Sequence, residues 1–363
     1  MLALAHEMVA RGHDVTIVSQ PSVRDRARAS GCRFIAFDGV GDYERGKTIE
    51  EQLDVVLPVI TGGEIGDQLL AVARDERPEA IVLDCNLGGA AAAVETLSAP
   101  SALLLHSMYT TFTDVWFAEI WPLVGPIVNE TRERFGLDAA GSWTDVFAGH
   151  ERLISVVPAS FDIAVAAVPD SMRYFGFLVP GATQTAHARG GLPEGDAAGV
   201  LVSLSTTYQH QEALLQTILD ALMSRTVRAL ATTGAHVDPA SLRVPANVAV
   251  AEHVDHAHVL DAVDVLVTHA GLGTVAAGLS HGVPLVCVPL GRDQHVNADR
   301  IAELGAGIAL RPDASSDEIG AAIDQVLADD GYRRGAAAIA SASRASGGPS
   351  AAVAELESLL PGG

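Results

Sequence analysis

The sequence predicts an α/β protein of two domains, on three observations. The chain has 363 residues, long enough for two domains. Hydrophobic residues make up 48% of it, so each half can bury a substantial core. Apolar runs of strand length alternate with helical patterns in both halves, with no internal repeat of fixed period.

In the first half, Met1 to Arg11 reads as a helix, with Leu2, Ala5, Met8 and Val9 on one face and Gly12 as terminator. Val15–Val18 and Arg33–Phe37 read as strands. Ile81–Asp84 is a strand ending in a carboxylate, and Gly88 to Val94 is a helix of small residues that lets backbones pack closely. Ala102–Leu105 is the next strand, ending at His106-Ser107. An aromatic cluster follows in a chain with only 5% aromatics: Met108-Tyr109, Phe112, Trp116, Phe117 and Trp121. Two readings stand for it, the core of a helical insertion or an apolar pocket for a small molecule. Phe161–Ile163 and Tyr174–Phe177 read as short closing elements. The Gly-, Ala- and polar-rich stretch after Pro180 reads as a linker.

The second half opens with the strand Val200–Leu204, which runs into Ser205-Thr206-Thr207. Consecutive hydroxyls there suit either phosphate contacts or the N-cap of the helix Glu212–Leu222. Val227–Ala231 and Val248–Ala251 are further strands, the latter followed by Glu252-His253. Ser315-x-x-Glu318 is a capping box opening a helix to about Leu327. A helical tail from Tyr332 is broken at Gly347-Gly348-Pro349.

Val265 to Gly307 carries the strongest signal. Val265–Val267 is a buried strand; Thr268-His269 ends it, and Gly271 and Gly273 allow a tight turn into a helix beginning near Thr274. Unsatisfied backbone N–H groups and the positive end of the helix dipole then meet at one spot, which is an anion site. Gly282 suits a C-cap, and Leu285–Val288 is the next strand. Gly291-Arg292-Asp293-Gln294 sits at its carboxyl end, where open parallel sheets bind ligands. An anion cradle beside a carboxylate–amide pair fits a sugar attached to a diphosphate.

His269-x-Gly271-x-Gly273-Thr274, Gly282-Val283-Pro284, Pro289, Asp293-Gln294 and Asn297-Ala298 resemble, in order and spacing, the donor motif of the UDP-glycosyltransferase superfamily. The resemblance is strongest to its bacterial branch acting on macrolides and other natural products. It implies the GT-B fold: α/β, two Rossmann-like doubly wound domains facing across a cleft. The expected boundaries are an acceptor domain at 1–180, a linker at 181–199 and a donor domain at 200–345. A C-terminal helix at 346–363 would cross back to the first domain.

By the same resemblance, His269 contacts the phosphates together with the amides of Gly271 to Thr274, and Asn297 lies near them. Asp293 and Gln294 hold sugar hydroxyls, and His253 stands where an aromatic usually stacks on the base. Ser205 and Thr206 join the donor set. In the family a strand and a histidine-bearing loop precede a helix like Leu2–Val9, and that histidine is the general base, oriented by an aspartate matching Asp84. The expectation is that about 20 residues are missing ahead of Met1, through a misassigned start codon or a true truncation. His106 is the visible substitute for the base; a hydrogen-bonded histidine beneath the acceptor pocket is the other reading. Ala277 replaces the usual ribose-binding glutamate, which makes a dTDP-sugar more plausible beside a UDP-sugar.

The expected activity is inverting, metal-independent transfer from a nucleotide-sugar co-substrate, with no cofactor, to a small apolar acceptor. The alternative is a catalytically impaired auxiliary protein that only binds the nucleotide-sugar. A formal net charge of −22 at pH 7 argues against nucleic acid and anionic membranes as partners. Cys32, Cys85 and Cys287 lie far apart without metal-ligand spacing, as buried thiols in a reducing cytoplasm do. No secretory signal is visible, so a cytoplasmic location is expected; a homodimer is left open.

Overall fold

A computed structural model of the chain describes residues 1–40, 57–113, 116–163, 168–179, 191–205, 210–235 and 237–360. The chain divides into two compact units, Met1–Leu178 with Ala345–Gly363, and Val179–Arg344. No helix among the described residues is long and apolar enough to cross a membrane.

The first unit begins with helix α1 (Leu2–Ala10), strand β1 (Thr16–Ser19), helix α2 (Arg24–Ala29) and strand β2 (Arg33–Ala36). Helix α3 (Gly63–Glu76) leads to β3 (Ile81–Asp84), and α4 (Gly88–Glu95) to β4 (Ser101–Leu105). Helices α5 (Tyr109–Thr113), α6 (Trp116–Arg134) and α7 (Trp143–Ala148) follow, then β5 (Arg152–Ser155) and β6 (Met172–Tyr174). All pairings are parallel, but the strands form two sheets, β1-β2 and β3-β4-β5-β6. One apolar cluster joins them through Val18, Phe37, Leu83, Leu103 and Leu153. The small residues of α4 do what their size allows. A Cβ on Gly89 would lie 2.4 Å from the Gly62 carbonyl oxygen, and one on Gly66 would lie 2.9 Å from Ala93 Cβ.

Two details of this unit add to the sequence reading. Phe161–Ile163, read as a short closing element, is a turn: the Phe161 amide bonds the Pro158 carbonyl, and the ring packs edge-on against Phe177. The strand that precedes it is β5, where Leu153 and Ile154 are fully buried between β4 and β6.

The second unit is a six-stranded, all-parallel sheet. Its strands are β7 (Ala198–Ser203), β8 (Val227–Thr232), β9 (Val248–Ala251), β10 (Val265–Thr268), β11 (Leu285–Cys287) and β12 (Gly307–Ala309). They stand in the order β12-β11-β10-β7-β8-β9, so the winding reverses between β7 and β10. The helices are α8 (Glu212–Leu222), α9 (His256–Val259), α10 (Leu272–Ser280), α11 (Gln294–Glu303), α12 (Ser316–Ala328) and α13 (Asp330–Ala345). Helices on the sheet faces make its strands continuous apolar runs: all four residues of β10 are buried. Each buried Val or Leu there contributes about 1.5–3 kcal/mol. Strand β7 starts at Ala198, inside the stretch read as a linker; 180–190 of that stretch lie outside the described residues.

Gly282 takes φ +69° and closes α10, with the Val283 amide bonded to the Gly278 carbonyl and the Gly282 amide to that of Leu279. The Ser315–Glu318 capping box is present at the start of α12. The last helix, α14 (Gly348–Glu357), begins after left-handed Gly347 and belongs to the first unit. Its Ala352, Val353 and Leu356 pack with Leu4, Ala102, Leu104 and Ile154. Glu355 pairs with Arg152 and Arg173, and Glu357 with Arg11 and His13.

Candidate active site

In the second unit the carboxyl ends of β7, β9, β10 and β11 carry the expected donor residues, and the β7–β10 boundary is the topological switch point. Helix α10 begins at Leu272, two residues ahead of expectation, with Gly271 as its N-cap. The Thr274 and Val275 amides both bond the Gly271 carbonyl. The amides of Leu272 and Gly273, in the first turn, have no acceptor within the helix.

The two glycines of the turn differ. A Cβ on Gly271 would lie 2.4 Å from His269 Nε2, so glycine is needed for the imidazole to lie over the backbone. A Cβ on Gly273 would meet nothing within 4 Å, so the space above it is open. His269 is buried, with Nδ1 3.4 Å from Thr268 Oγ1. Burial, aided by the nearby Arg292 cation and opposed by a backbone hydrogen bond with Ser203, lowers its pKa to about 4. It is therefore a neutral imidazole at pH 7.

Asn297 is fully buried and reaches from α11 back to the glycine turn. Its Nδ2 donates to the Ala270 carbonyl (3.0 Å) and to Asp293 Oδ2 (3.2 Å). Ala270 has φ +65°, a left-handed conformation that costs a non-glycine residue energy and is held here by this bond. Asn297 Oδ1 is buried with no partner.

Gln294, expected to hold sugar hydroxyls, is engaged by its own turn. Its side chain is buried, and Oε1 accepts from the Leu290 and Gly291 amides at 2.8 and 3.1 Å. As placed it braces the turn that carries Arg292 and half-buried Asp293. Ser205 is buried, its carbonyl accepting from Gln211 Nε2 at 2.7 Å, whereas Thr206 lies outside the described residues. His253 is exposed in the loop after β9.

Arg292, placed at this edge by the sequence but given no role, and His256 join the site. Arg292 has φ +59° at the end of the β11 loop and acts electrostatically on His269. The signal was a lone cation ending the long uncharged run Ala270–Gly291. His256 Nε2 lies 3.1 Å from Ser203 Oγ at the end of β7.

In the first unit, β3 and β4 lie side by side, and their ends bring Asp84 and His106 together. His106 Nδ1 is 3.2 Å from Asp84 Oδ2 and 3.4 Å from Cys85 Sγ, and Nε2 is 3.2 Å from Asn86 Nδ2. Asp84 Oδ1 accepts from the Asn86 amide at 3.0 Å. Burial works to lower the His106 pKa, but Cys85 and Asp84 together outweigh it and hold it well above the ordinary value. Burial likewise works to raise Asp84, yet His106, the Asn86 amide and the Met1 amino group bring it below its ordinary value. Asp84 thus has a histidine partner on its own sheet. Sequence spacing hid Cys85 and Asn86 from this group.

The segment after His106 is pinned by a buried carboxylate. Asp162 accepts from the Tyr109 amide (2.9 Å), Thr110 Oγ1 (3.1 Å) and Tyr174 Oη (3.0 Å). Met108, Tyr109 and Phe112, read as candidate pocket residues, are all buried. Tyr109 and Phe112 belong to the core of the unit, and Phe112 packs edge-on against Phe147. Half-buried Trp121 packs on Trp143 at 5.3 Å. The side chains of Trp116 and Phe117, at the start of α6, lie outside the described residues.

The fold and the homologues place the chain in a class, the glycosyltransferases of GT-B fold, and those homologues use nucleotide-activated sugars in antibiotic biosynthesis. Within that class the homologues of this chain are macrolide glycosyltransferases. Residues 216–359 match the family described as "Erythromycin biosynthesis protein CIII-like, C-terminal domain". Demethyllactenocin mycarosyltransferase of Streptomyces fradiae is 27% identical, over 99% of this chain and 83% of its own. The solved structure of the glycotransferase of kitacinnamycin superposes with a TM-score of 0.82 at 25% identity, covering 99% of this chain and 95% of that one. Spinosyn rhamnosyltransferase SpnG complexed with thymidine diphosphate gives 0.74 at 20% identity, covering 98% and 95%.

Proposed function

We propose that the chain transfers a glycosyl group from a UDP- or dTDP-sugar to a hydroxyl of a small, largely apolar natural product, with inversion at C1 and no metal in the reaction. The observation that carries the reading is the switch-point corner of the second unit. There the N-terminal turn of α10, with open space over Gly273, lies in the same turn as neutral His269. Backbone amides and the helix dipole stabilise negative charge building on a leaving diphosphate without a cation. Neutral His269 adds an N–H donor. Asp293 accepts from sugar hydroxyls.

The acceptor oxygen attacks C1, the bond from C1 to the β-phosphate oxygen breaks, and the diphosphate leaves. The hydroxyl proton goes to a base, and the Asp84–His106 pair suits that role in its deprotonated form, where the carboxylate fixes the imidazole tautomer and stabilises the imidazolium that forms; transfer therefore rises with pH through the raised His106 pKa. The acceptor hydroxyl takes the place of Asn86 at Nε2. That SpnG holds thymidine diphosphate, and that Ala277 offers no carboxylate to a ribose 2′-hydroxyl, favour dTDP as the carrier.

Mass spectrometry of the purified chain with UDP- and dTDP-hexoses and a panel of macrolide aglycones tests this. A mass gain of one hexose unit on an acceptor is expected, together with tighter calorimetric binding of dTDP than UDP. Donor binding without turnover on any acceptor identifies an auxiliary binder instead, and a clear UDP preference overturns the dTDP assignment.

A further inference from the structure

We propose that Asp84, Cys85 and His106 form a zinc-binding site at the adjoining ends of β3 and β4. Among the described residues they are the one group of three or more His, Cys, Asp or Glu residues that offers its ligand atoms to a common point, all within 4.8 Å of one another. The spacing is the strongest argument. Zinc bonds of about 2.3 Å to sulfur and about 2.0–2.2 Å to nitrogen and oxygen, arranged tetrahedrally, put N and O about 3.3 Å apart and N and S about 3.6 Å apart. The structure has 3.2 Å between His106 Nδ1 and Asp84 Oδ2 and 3.4 Å between Nδ1 and Cys85 Sγ. Both His106 distances therefore stand within a few tenths of an ångström of zinc geometry, and the Asp84 oxygen and Cys85 sulfur lie within 4.8 Å of each other.

Chemistry and access agree with the spacing. A thiolate, a carboxylate and a neutral imidazole balance the charge of Zn²⁺, so the occupied site is neutral, and a mixed S, N, O set suits zinc over harder cations. Cys85 is buried, while the Asp84 and His106 side chains are 40% and 39% exposed. Metal can thus reach the ligands through these two half-exposed side chains. The outer support exists as well. A histidine bound to metal through Nδ1 carries its proton on Nε2, and Asn86, 3.2 Å away, accepts it once its amide is turned to present Oδ1. The Asn86 amide already holds Asp84 Oδ1, leaving Oδ2 for the metal.

Binding needs loss of the Cys85 thiol proton and the imidazole Nδ1 proton to solvent; no bond in the chain breaks and no electron moves. Zinc so held takes the Nδ1 and Asp84 oxygen that the proposed base pair uses, so the two occupancies exclude each other. The test reads metal binding and stands apart from transfer activity.

The full chain, reduced and freed of metal, is titrated with Zn²⁺ by calorimetry and with Co²⁺ by absorption. One equivalent of Zn²⁺ at submicromolar Kd is expected, with a thiolate-to-cobalt charge-transfer band in the near ultraviolet that added Zn²⁺ removes. Cys85→Ser should abolish that band. Asp84→Asn and His106→Gln, at half-exposed positions that spare the core, should each weaken Zn²⁺ by more than the roughly 10–100-fold that loss of an outer partner costs. Asn86→Ala should fall within that outer-partner range. Absence of submicromolar binding in the parent chain overturns the proposal. So does a charge-transfer band that persists in Cys85→Ser, since Cys32 or Cys287 would then be its source.

Discussion

The two units solve the placement of functional side chains differently. In the second, one continuous six-stranded sheet reverses its winding at the β7–β10 boundary, and the donor residues fall on loops that each directly follow a strand. His269 to Thr274 is a single turn, and Asp293 to Asn297 opens the helix that follows the next strand. In the first unit the strands fall into two sheets, and the polar group comes from two strands joined side by side, so that Asp84 meets a histidine far along the chain. A local turn fixes its own geometry; a lateral pairing depends on register. In the register Leu83↔Leu103 and Asp84↔Leu104, the end of β3 is met by the residues that follow β4.

The division of labour this implies can be broken most directly from the first unit. Asp84→Asn keeps the size of the side chain at a half-exposed position but no longer stabilises the protonated imidazole of His106. We expect kcat to fall by roughly 10²–10⁴-fold, the usual worth of a positioned proton acceptor. The Kd for thymidine diphosphate should be unchanged, because the nucleotide is assigned to the second unit. A matching loss of nucleotide affinity would break the comparison.

Acid sensitivity gives the next largest effect, and each unit has its own source. His150 in the first unit and His269 in the second are both buried and lowered to about 4, burial being the main cause in each. His150 Nδ1 is 2.7 Å from Ser101 Oγ, and its Nε2 is buried with no partner. Both rings are neutral when folded, whereas unfolding lets them take up a proton below about 6.5. Between about pH 6.5 and 4 the unfolded chain binds more protons, so stability falls as pH drops through that window and levels off below it. Each histidine accounts for about 3 kcal/mol of the loss. Scanning calorimetry across the window should show His150→Phe flattening the response of the first unit only.

Gly271→Ala reverses the pattern of Asp84→Asn. The added Cβ lies 2.4 Å from His269 Nε2 and must push the imidazole off the turn. Donor affinity should drop about 10-fold or more, or about 1.4 kcal/mol, while the Asp84–His106 pair in the first unit is untouched.

How much of this was legible follows from the same contrast. The glycine turn, the C-cap at Gly282, the capping box and the strand before His269 could be read because each rests on neighbours in sequence. Strand β5 was missed because its four residues open on a charge and owe their burial to β4 and β6, which sequence pattern does not record. Phe161 is the converse case: it is apolar because Phe177 covers it, without any strand. Gln294 shows what a motif leaves out: besides the sugar contact expected of it, the turn it caps draws its oxygen to two amides. Cys85 was set aside because no other cysteine stands near it in sequence, and its neighbour His106 arrives only through strand pairing.

The smallest effect separates a glycine the fold needs from one the ligand needs. Gly273 sits in the first turn of α10 with an ordinary φ, and a Cβ there meets nothing. Alanine restricts the unfolded chain and favours helix, so Gly273→Ala should stabilise the protein by about 0.4–1 kcal/mol. The same methyl group would stand over the amides assigned to the diphosphate and should weaken thymidine diphosphate binding. A higher Tm with a larger nucleotide Kd is therefore the signature of a helix end kept bare for an anion. If the substitution raises Tm and leaves the Kd alone, the diphosphate does not rest on that turn, and the donor assignment of the second unit must move elsewhere on the same sheet edge.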